Sequence, residues 1–324
     1  MTSEDSTESL PRVGILSLGD MGAGIARLLI AHGFAVATNC EGRSEDTIER
    51  ARNAKVELVS SDLELVQKSN VILSIVPPRD AEATAQRVIE ALSGTKEGDR
   101  APLYYADLNA VSPTTVRAIA ASFDKSRAPV RFIDGCILGA PPRLLEDGKG
   151  EWFRPNIPIS GPHSLAEITP GGDRLLSVLK IDPIADKIGQ ASGLKMCFAS
   201  MLKGFTAIAT QSFTTAHRLG VSDSLRSHMA QVVPGALARA EEAVPVMVPK
   251  AYRWVREMEE IAATMCDDGG WERDLFLGAA ATYESVAEDP VLGKERIGKR
   301  SRGTDLNSVA ELLADGLDKK RKKI

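Results

Sequence analysis

The chain has 324 residues, a net charge of −4 and 43% hydrophobic residues, a soluble globular composition with room for two ordinary domains. Weak acidity without a clustered basic face excludes nucleic acid as the expected partner. No apolar run reaches the roughly 18–20 residues of a membrane span, so no membrane partner is expected either.

The first eleven residues are polar and acidic and lack the basic-then-apolar character of a secretory signal, so 1–11 is expected to be a disordered tail. Short β-rich runs then alternate with helical stretches. The expected strands are 12–17, 34–38, 71–75, 103–107, 131–134 and 156–160, with amphipathic segments such as 80–93 and 113–124 between them. This alternation implies right-handed crossovers and an α/β fold: a doubly wound, mostly parallel Rossmann sheet over 12–188. From 189 to 324 the pattern is helical throughout, with one long proline-free helix from about 190 and further helices at 222–243, 246–266, 271–288 and 305–322. The basic end "DKKRKKI" reads as a solvated charged terminus rather than a targeting or nucleic-acid patch. Four scattered cysteines (Cys40, Cys136, Cys197, Cys266) form no C-x-x-C pair, so reduced thiols and a cytoplasmic location are expected, with no metal.

The stretch "VGILSLGDMGAGIA" (13–26) ends a strand and opens an apolar-periodic helix, the context of a dinucleotide turn. Such a turn wants three glycines: for a tight bend, for backbone approach to the pyrophosphate, and for close helix-on-strand packing. Gly19 and Gly22 fill the last two places, while Ser17 stands in the first. Ser17, Leu18, Gly19, Asp20, Met21 and Gly22 are therefore the expected cofactor loop, with the Asp20 carboxylate turned away from phosphate. After the second strand, Glu41 is placed to accept the ribose hydroxyls of NAD, and Arg43 with Ser44 to clamp the 2′-phosphate of NADP. Ser44 reads equally as the N-cap of the next helix. The balance favours NADP, with NAD the alternative.

With these residues in place, the chain resembles the β-hydroxyacid dehydrogenase and 6-phosphogluconate dehydrogenase superfamily, which also contains the imine reductases. "GILSLGDMG" is similar to its G-x-x-G-x-G-x-M-G, with only Ser17 out of place. "SIVPP" (74–78) resembles the loop bordering the cofactor, bringing in Val76 and Pro77. "DLNAVSP" (107–113) resembles a segment that would put Asn109 near the nicotinamide, as a cofactor contact and to place the substrate. "LKMCFASMLKG" (194–204) and "RWVREMEEIAATM" (253–265) are similar to a branch with a putative phosphogluconate dehydrogenase-type C-terminal domain.

The resemblance implies that Lys195 is the general acid–base. The asparagine expected four residues on is Ala199, and Lys203 lies on roughly the same helical face as Lys195. In the segment that would hold a substrate carboxylate, "DGCILGAPP" (134–142), Leu138 replaces a serine and Ala140 a glycine, with Gly139 between them. Leu138, Gly139, Ala199, Lys203 and Glu257 are the candidate substrate contacts. For Glu257 an i,i+4 ion pair with Arg253 is the plainer alternative, and Arg256 pairs likewise with Glu260. Trp254, Val255, Met258, Ile261, Ala262 and Met265 share a face that reads as core or dimer interface. The resemblance further implies a homodimer and an NAD(P)-dependent oxidoreductase acting on a small hydroxy or carbonyl substrate. Two alternatives stay open: an imine or apolar-ketone reductase on the same fold, and a non-catalytic NADP-binding regulator.

Overall fold

Eight of the strands join in one sheet in the computed structural model, which describes residues 10–93, 101–146, 148–296 and 298–321. The strands are β1 (Val13–Leu16), β2 (Val36–Asn39), β3 (Glu57–Val59), β4 (Val71–Ser74), β5 (Leu103–Asp107), β6 (Val130–Gly135), β7 (Arg143–Leu144), β8 (Trp152–Phe153), β9 (Ile157–Ser160) and β10 (Ile181–Ala185). The sheet runs β10-β9-β6-β5-β4-β1-β2-β3, parallel throughout except for the antiparallel pair β6–β9, and β7–β8 form a separate small ribbon. The interleaved helices are α1 (Asp20–Ala31), α2 (Glu45–Asn53), α3 (Asp62–Lys68), α4 (Ala81–Ala91), α5 (Pro113–Ser126) and α6 (Gly172–Leu179).

Alternation along the strands sorts the core into two layers. Val13, Ile15, Val71, Leu73, Tyr104, Ala106 and Ile133 meet α1, α2 and α6 on one face. Leu16, Ile72, Leu103, Tyr105 and Phe132 meet α3, α4 and α5 on the other. This is the expected doubly wound sheet, with helices on both faces.

Clustering of contacts divides the chain into two compact units, Met1–Lys195 and Met196–Ile324. The expected boundary at 188/189 thus moves into the long helix α7 (Gln190–Arg218), whose first residues belong to the sheet-bearing unit. The second unit carries α8 (Ser222–Val232), α9 (Pro234–Met247), α10 (Ala251–Asp267), α11 (Asp274–Ala287) and α12 (Leu306–Arg321). The single helix expected over 222–243 is broken at Pro234, which lacks the N–H that would continue the ladder and begins a new helix instead. Pro249 likewise sits in a single 3₁₀ turn (Val248–Lys250) before α10, inside the helix expected over 246–266. β3, β7, β8 and β10 lie outside the expected strands.

The expected tail 1–11 is shortened by two residues: Leu10 packs on the first core layer and Pro11 is buried. Its first nine residues, and 322–324 of the basic end, lie outside the described residues. Among the described residues no helix is long and apolar enough to cross a membrane.

Candidate active site

The turn between β1 and α1 has the backbone of a glycine fingerprint. Ser17 adopts φ +73°, the left-handed conformation that glycine enters freely and an L-residue enters at about 1–2 kcal/mol. At Gly22 an added Cβ would lie 2.3 Å from the Ser17 carbonyl oxygen, so only glycine lets α1 pack this closely on the turn. At Gly19, the N-cap of α1, an added Cβ would meet nothing within 4 Å, and no side chain caps the helix. The first N–H groups of α1 therefore face open space with the positive end of the helix behind them, a ready seat for phosphate. Leu18 is buried in the core and Met21 packs against it, so both side chains are taken up by packing. Asp20 is exposed in the first turn.

One residue of this cradle escapes a reading of the sequence. Arg50 reaches from α2 to donate its Nε to the Leu18 carbonyl at 2.9 Å and its Nη2 to Thr47 Oγ1 at 3.0 Å. It braces the turn and sets a guanidinium beside it. Its i,i+3 spacing from Thr47 is the only local signal.

At the end of β2 the acidic residue typical of NAD-binding folds is absent from the strand and Asn39 stands there. Its amide donates to Asp62 Oδ1 at 2.8 Å and its carbonyl accepts the Glu41 N–H at 2.9 Å. Arg87 grips the same Asp62 with two bonds of 2.8 Å. Burial pulls the Asp62 carboxyl upward, but the Arg87 and Asn39 bonds outweigh it and hold the carboxyl below its ordinary value. Glu41, Arg43 and Ser44 are exposed on the following turn, and Arg43 has no ion pair among the described residues. Ser44 occupies the N-cap of α2, yet its hydroxyl makes no cap bond and pairs with Thr47 Oγ1 at 3.1 Å.

Asn109 follows β5 and faces the loop after β4. It is 2% exposed, its Oδ1 accepts the Val76 N–H at 2.7 Å, and its Nδ2 donates to Ser74 Oγ at 3.0 Å. The amide ties the loop after β5 to the loop after β4, where Val76 is buried and Pro77 exposed. Asn109 thus positions these two loops, with its side chain buried between them. Beneath it, Asp107 Oδ1 accepts the Asn109 N–H at 3.0 Å, while Oδ2 has no hydrogen-bond partner among the described residues. Burial, with the neighbouring Asp134 adding to it, pushes the Asp107 carboxyl up to about 7.

Asp134, at the end of β6, organises the start of α7. Its Oδ2 accepts the N–H groups of Gly189 (2.8 Å), Ala191 (3.1 Å) and Ser192 (3.2 Å) and the Ser160 hydroxyl (2.8 Å). Its Oδ1 accepts the Ser192 hydroxyl at 2.6 Å. A buried carboxylate thus satisfies the orphan donors of a 29-residue helix and meets its positive end.

One turn further along, half-buried Lys195 donates its Nζ to the Ile137 carbonyl at 2.7 Å. The next residues are Leu138, which exchanges backbone bonds with Asn156 (2.8 and 3.2 Å), and exposed Gly139. Pro141 and Pro142 then press on α1, where a Cβ at Gly24 would come 3.0–3.1 Å from them. The structure therefore brings Lys195, Leu138 and Gly139 together and joins them through 137–142 to the helix that follows the glycine turn. Close by, burial drives the Cys136 thiol up to about 12 against the pull of Lys195, so this cysteine stays protonated.

Ala199, Lys203 and Glu257 belong to the second unit. Ala199 is buried. Lys203 and Glu257 form an ion pair of side chains only 16% and 11% exposed, under Trp254, whose ring centre lies 4.8 Å from Lys203 Nζ. Trp254 meets Tyr283 edge-on at 5.2 Å, and the Tyr283 hydroxyl donates to the Lys203 carbonyl. The expected Arg253–Glu257 pair is replaced by this cross-helix pair, whereas Arg256–Glu260 forms at 2.7 Å on a glutamate 2% exposed. Met258, Ile261 and Ala262 are core residues.

Residues 12–96 match the family model described as NADP oxidoreductase, coenzyme F420-dependent, and residues 216–286 match a domain of unknown function, DUF1932. An uncharacterized 28.5 kDa protein of Methanothermus fervidus is 26% identical over 219 residues, which cover 66% of this chain and 74% of the relative. A solved structure of a conserved protein of unknown function, described as similar to 3-hydroxyacid dehydrogenases, shares the fold: TM-score 0.58, 24% identity, 87% of this chain and 99% of that one. So does a 3-hydroxyisobutyrate dehydrogenase of Mycobacterium tuberculosis with L-serine: TM-score 0.61, 17% identity, 94% and 99% coverage.

Proposed function

We propose, for a chain that fits the β-hydroxyacid dehydrogenase and 6-phosphogluconate dehydrogenase-like superfamily, an NADP-dependent oxidoreductase of a small hydroxy or carbonyl substrate. One observation carries it: segment 137–142 links an uncapped, glycine-lined helix N-terminus to the backbone carbonyl that holds Lys195. The open space over Gly19 fits a pyrophosphate, with Ser17, Leu18, Gly19, Met21 and Gly22 forming the cradle and Arg50 behind it. An exposed Arg43 without an ion pair, next to Ser44, and a β2 that ends in Asn39 support the 2′-phosphate of NADP over NAD. When bound, the nicotinamide supplies or accepts the hydride. Lys195 donates the proton to the oxygen when a carbonyl is reduced and accepts it when a hydroxyl is oxidised. Its bond to Ile137 O fixes the amine in place beside the 137–142 segment.

The imine or apolar-ketone alternative rests on Leu138 and Ala199, which bring no polar side-chain atom where the family pattern has serine and asparagine. A homodimer is supported by an apolar stripe on α7, where Phe198, Met201 and Ile208 are 44%, 76% and 58% exposed at helical spacing.

Titration with NADPH and NADH by nicotinamide fluorescence is expected to show tight NADPH and weaker NADH binding. Neither binding would remove the oxidoreductase reading. Lys195→Ala is expected to keep NADPH affinity within about twofold and lower turnover about 10²–10⁴-fold. Near-wild-type turnover would remove Lys195 from the chemistry, and ketone reduction that needs an added amine donor would select the imine alternative.

A further inference from the structure

The second unit holds a cavity of about 350 Å³ walled by Lys250, Arg296, Arg300 and Thr304, with Val246 and Pro249 as its apolar side. No carboxylate lines it among the described residues. The arginines come from "KERIGKRSR" (294–302), a run of five cations and one acid in a chain of net charge −4.

Glu295 explains how this run is folded. It is 5% exposed; its Oε2 accepts the Ser301 N–H at 2.7 Å and its Oε1 accepts Arg302 Nε at 3.1 Å. These bonds, the Ser301 N–H first, hold its carboxyl below the ordinary value, so the loop is drawn back on a charged hub. The hub neutralises Arg302. Arg296 and Arg300 are left without an ion pair among the described residues and are anchored on backbone carbonyls instead. Arg300 donates to Pro245 O, and Arg296 donates to Gly293 O at 3.1 Å and Glu295 O at 3.2 Å.

Carbonyl anchoring pins each guanidinium by one nitrogen and keeps its full charge. Arg296 and Arg300 at one small space repel each other, and a multiply charged anion relieves that repulsion. Two guanidiniums and a threonine among the lining residues suit a tetrahedral phosphoryl group better than a planar carboxylate.

We propose that this cavity, with Arg296, Arg300 and Lys250 as its cations, binds the phosphoryl group of a small metabolite. The site stands independently of the oxidoreductase reading. The test is calorimetric titration of the full chain with pyrophosphate in chloride buffer, with citrate in parallel. Saturable pyrophosphate binding is expected, at least tenfold tighter than citrate. Arg296→Gln with Arg300→Gln should weaken it at least tenfold and leave NADPH affinity within twofold. Arg296→Gln alone removes an exposed side chain and should weaken it at least threefold, which decides the matter if the double variant fails to fold. No saturable binding to the wild type, equal affinity for citrate, or an affinity unchanged in these variants would overturn the proposal; the last outcome would send the anion to the glycine turn instead.

Discussion

Two buried aspartates sit side by side at the ends of neighbouring strands: Asp107 of β5 is in register with Asp134 of β6, and they are 1% and 0% exposed. Burial pushes both carboxyls above the ordinary carboxylate range. Their surroundings differ. Asp134 is met by three backbone N–H groups and two hydroxyls at the positive end of α7, whereas Asp107 has one N–H on Oδ1 and nothing on Oδ2 among the described residues. Desolvation is common to both; the supply of donors separates a carboxylate that builds the site from one that the site merely tolerates.

The largest effect should come from removing the satisfied partner. Asp134→Ala strands five donors in the core and uncaps α7, which should cost about 3–5 kcal/mol in urea unfolding. A loss under about 1 kcal/mol would mean that the helix start is held by something else. Asp107→Asn should do the reverse. The Asp107 carboxyl is raised to about 7 in the fold, so its protonated form contributes stability that is fully present below its unfolded value and lost as pH rises through 7. The amide variant should therefore exceed the wild type by about 2–4 kcal/mol at pH 8, with the gap closing towards pH 4. A gap that does not change with pH would show that Asp107 does not titrate in this range.

The second unit extends the contrast to a pair of opposite charges. Lys203→Met leaves buried Glu257 without its partner, and a loss of about 2–3 kcal/mol is expected in thermal unfolding. Lys203→Met with Glu257→Gln should recover most of it. Failure to recover would show that Lys203 contributes through its packing on Trp254 rather than through its charge.

What could be read from the chain follows the range of the interactions. The glycine turn, the alternation of strands and helices and the long α7 are local patterns and stand in the sequence. Asp134 does not announce itself, because its donors come from residues 160 and 189–192 and meet it only in the fold. Asn109 is legible as part of the loop after β5, but its bonds to Ser74 and Val76, some 35 residues away, form only in the fold. β3 has only three residues, two of them exposed, and β10 contains Pro183, which an edge strand tolerates. Neither shows the alternating pattern by which strands are found.

Ser17 is the smallest case of the same contrast, a local rule broken at the site itself. Its φ of +73° puts an L-residue where glycine costs nothing, yet the turn keeps its shape, with Gly22 packed close on the Ser17 carbonyl. Ser17→Gly removes the strain but gives the unfolded chain more freedom to lose, and the two terms nearly cancel. A gain of under about 1 kcal/mol in urea unfolding is expected, with NADPH affinity equal or tighter. A clear loss in both would mean that the serine hydroxyl itself contributes to the turn, and that the departure from glycine is a working part of the cofactor loop.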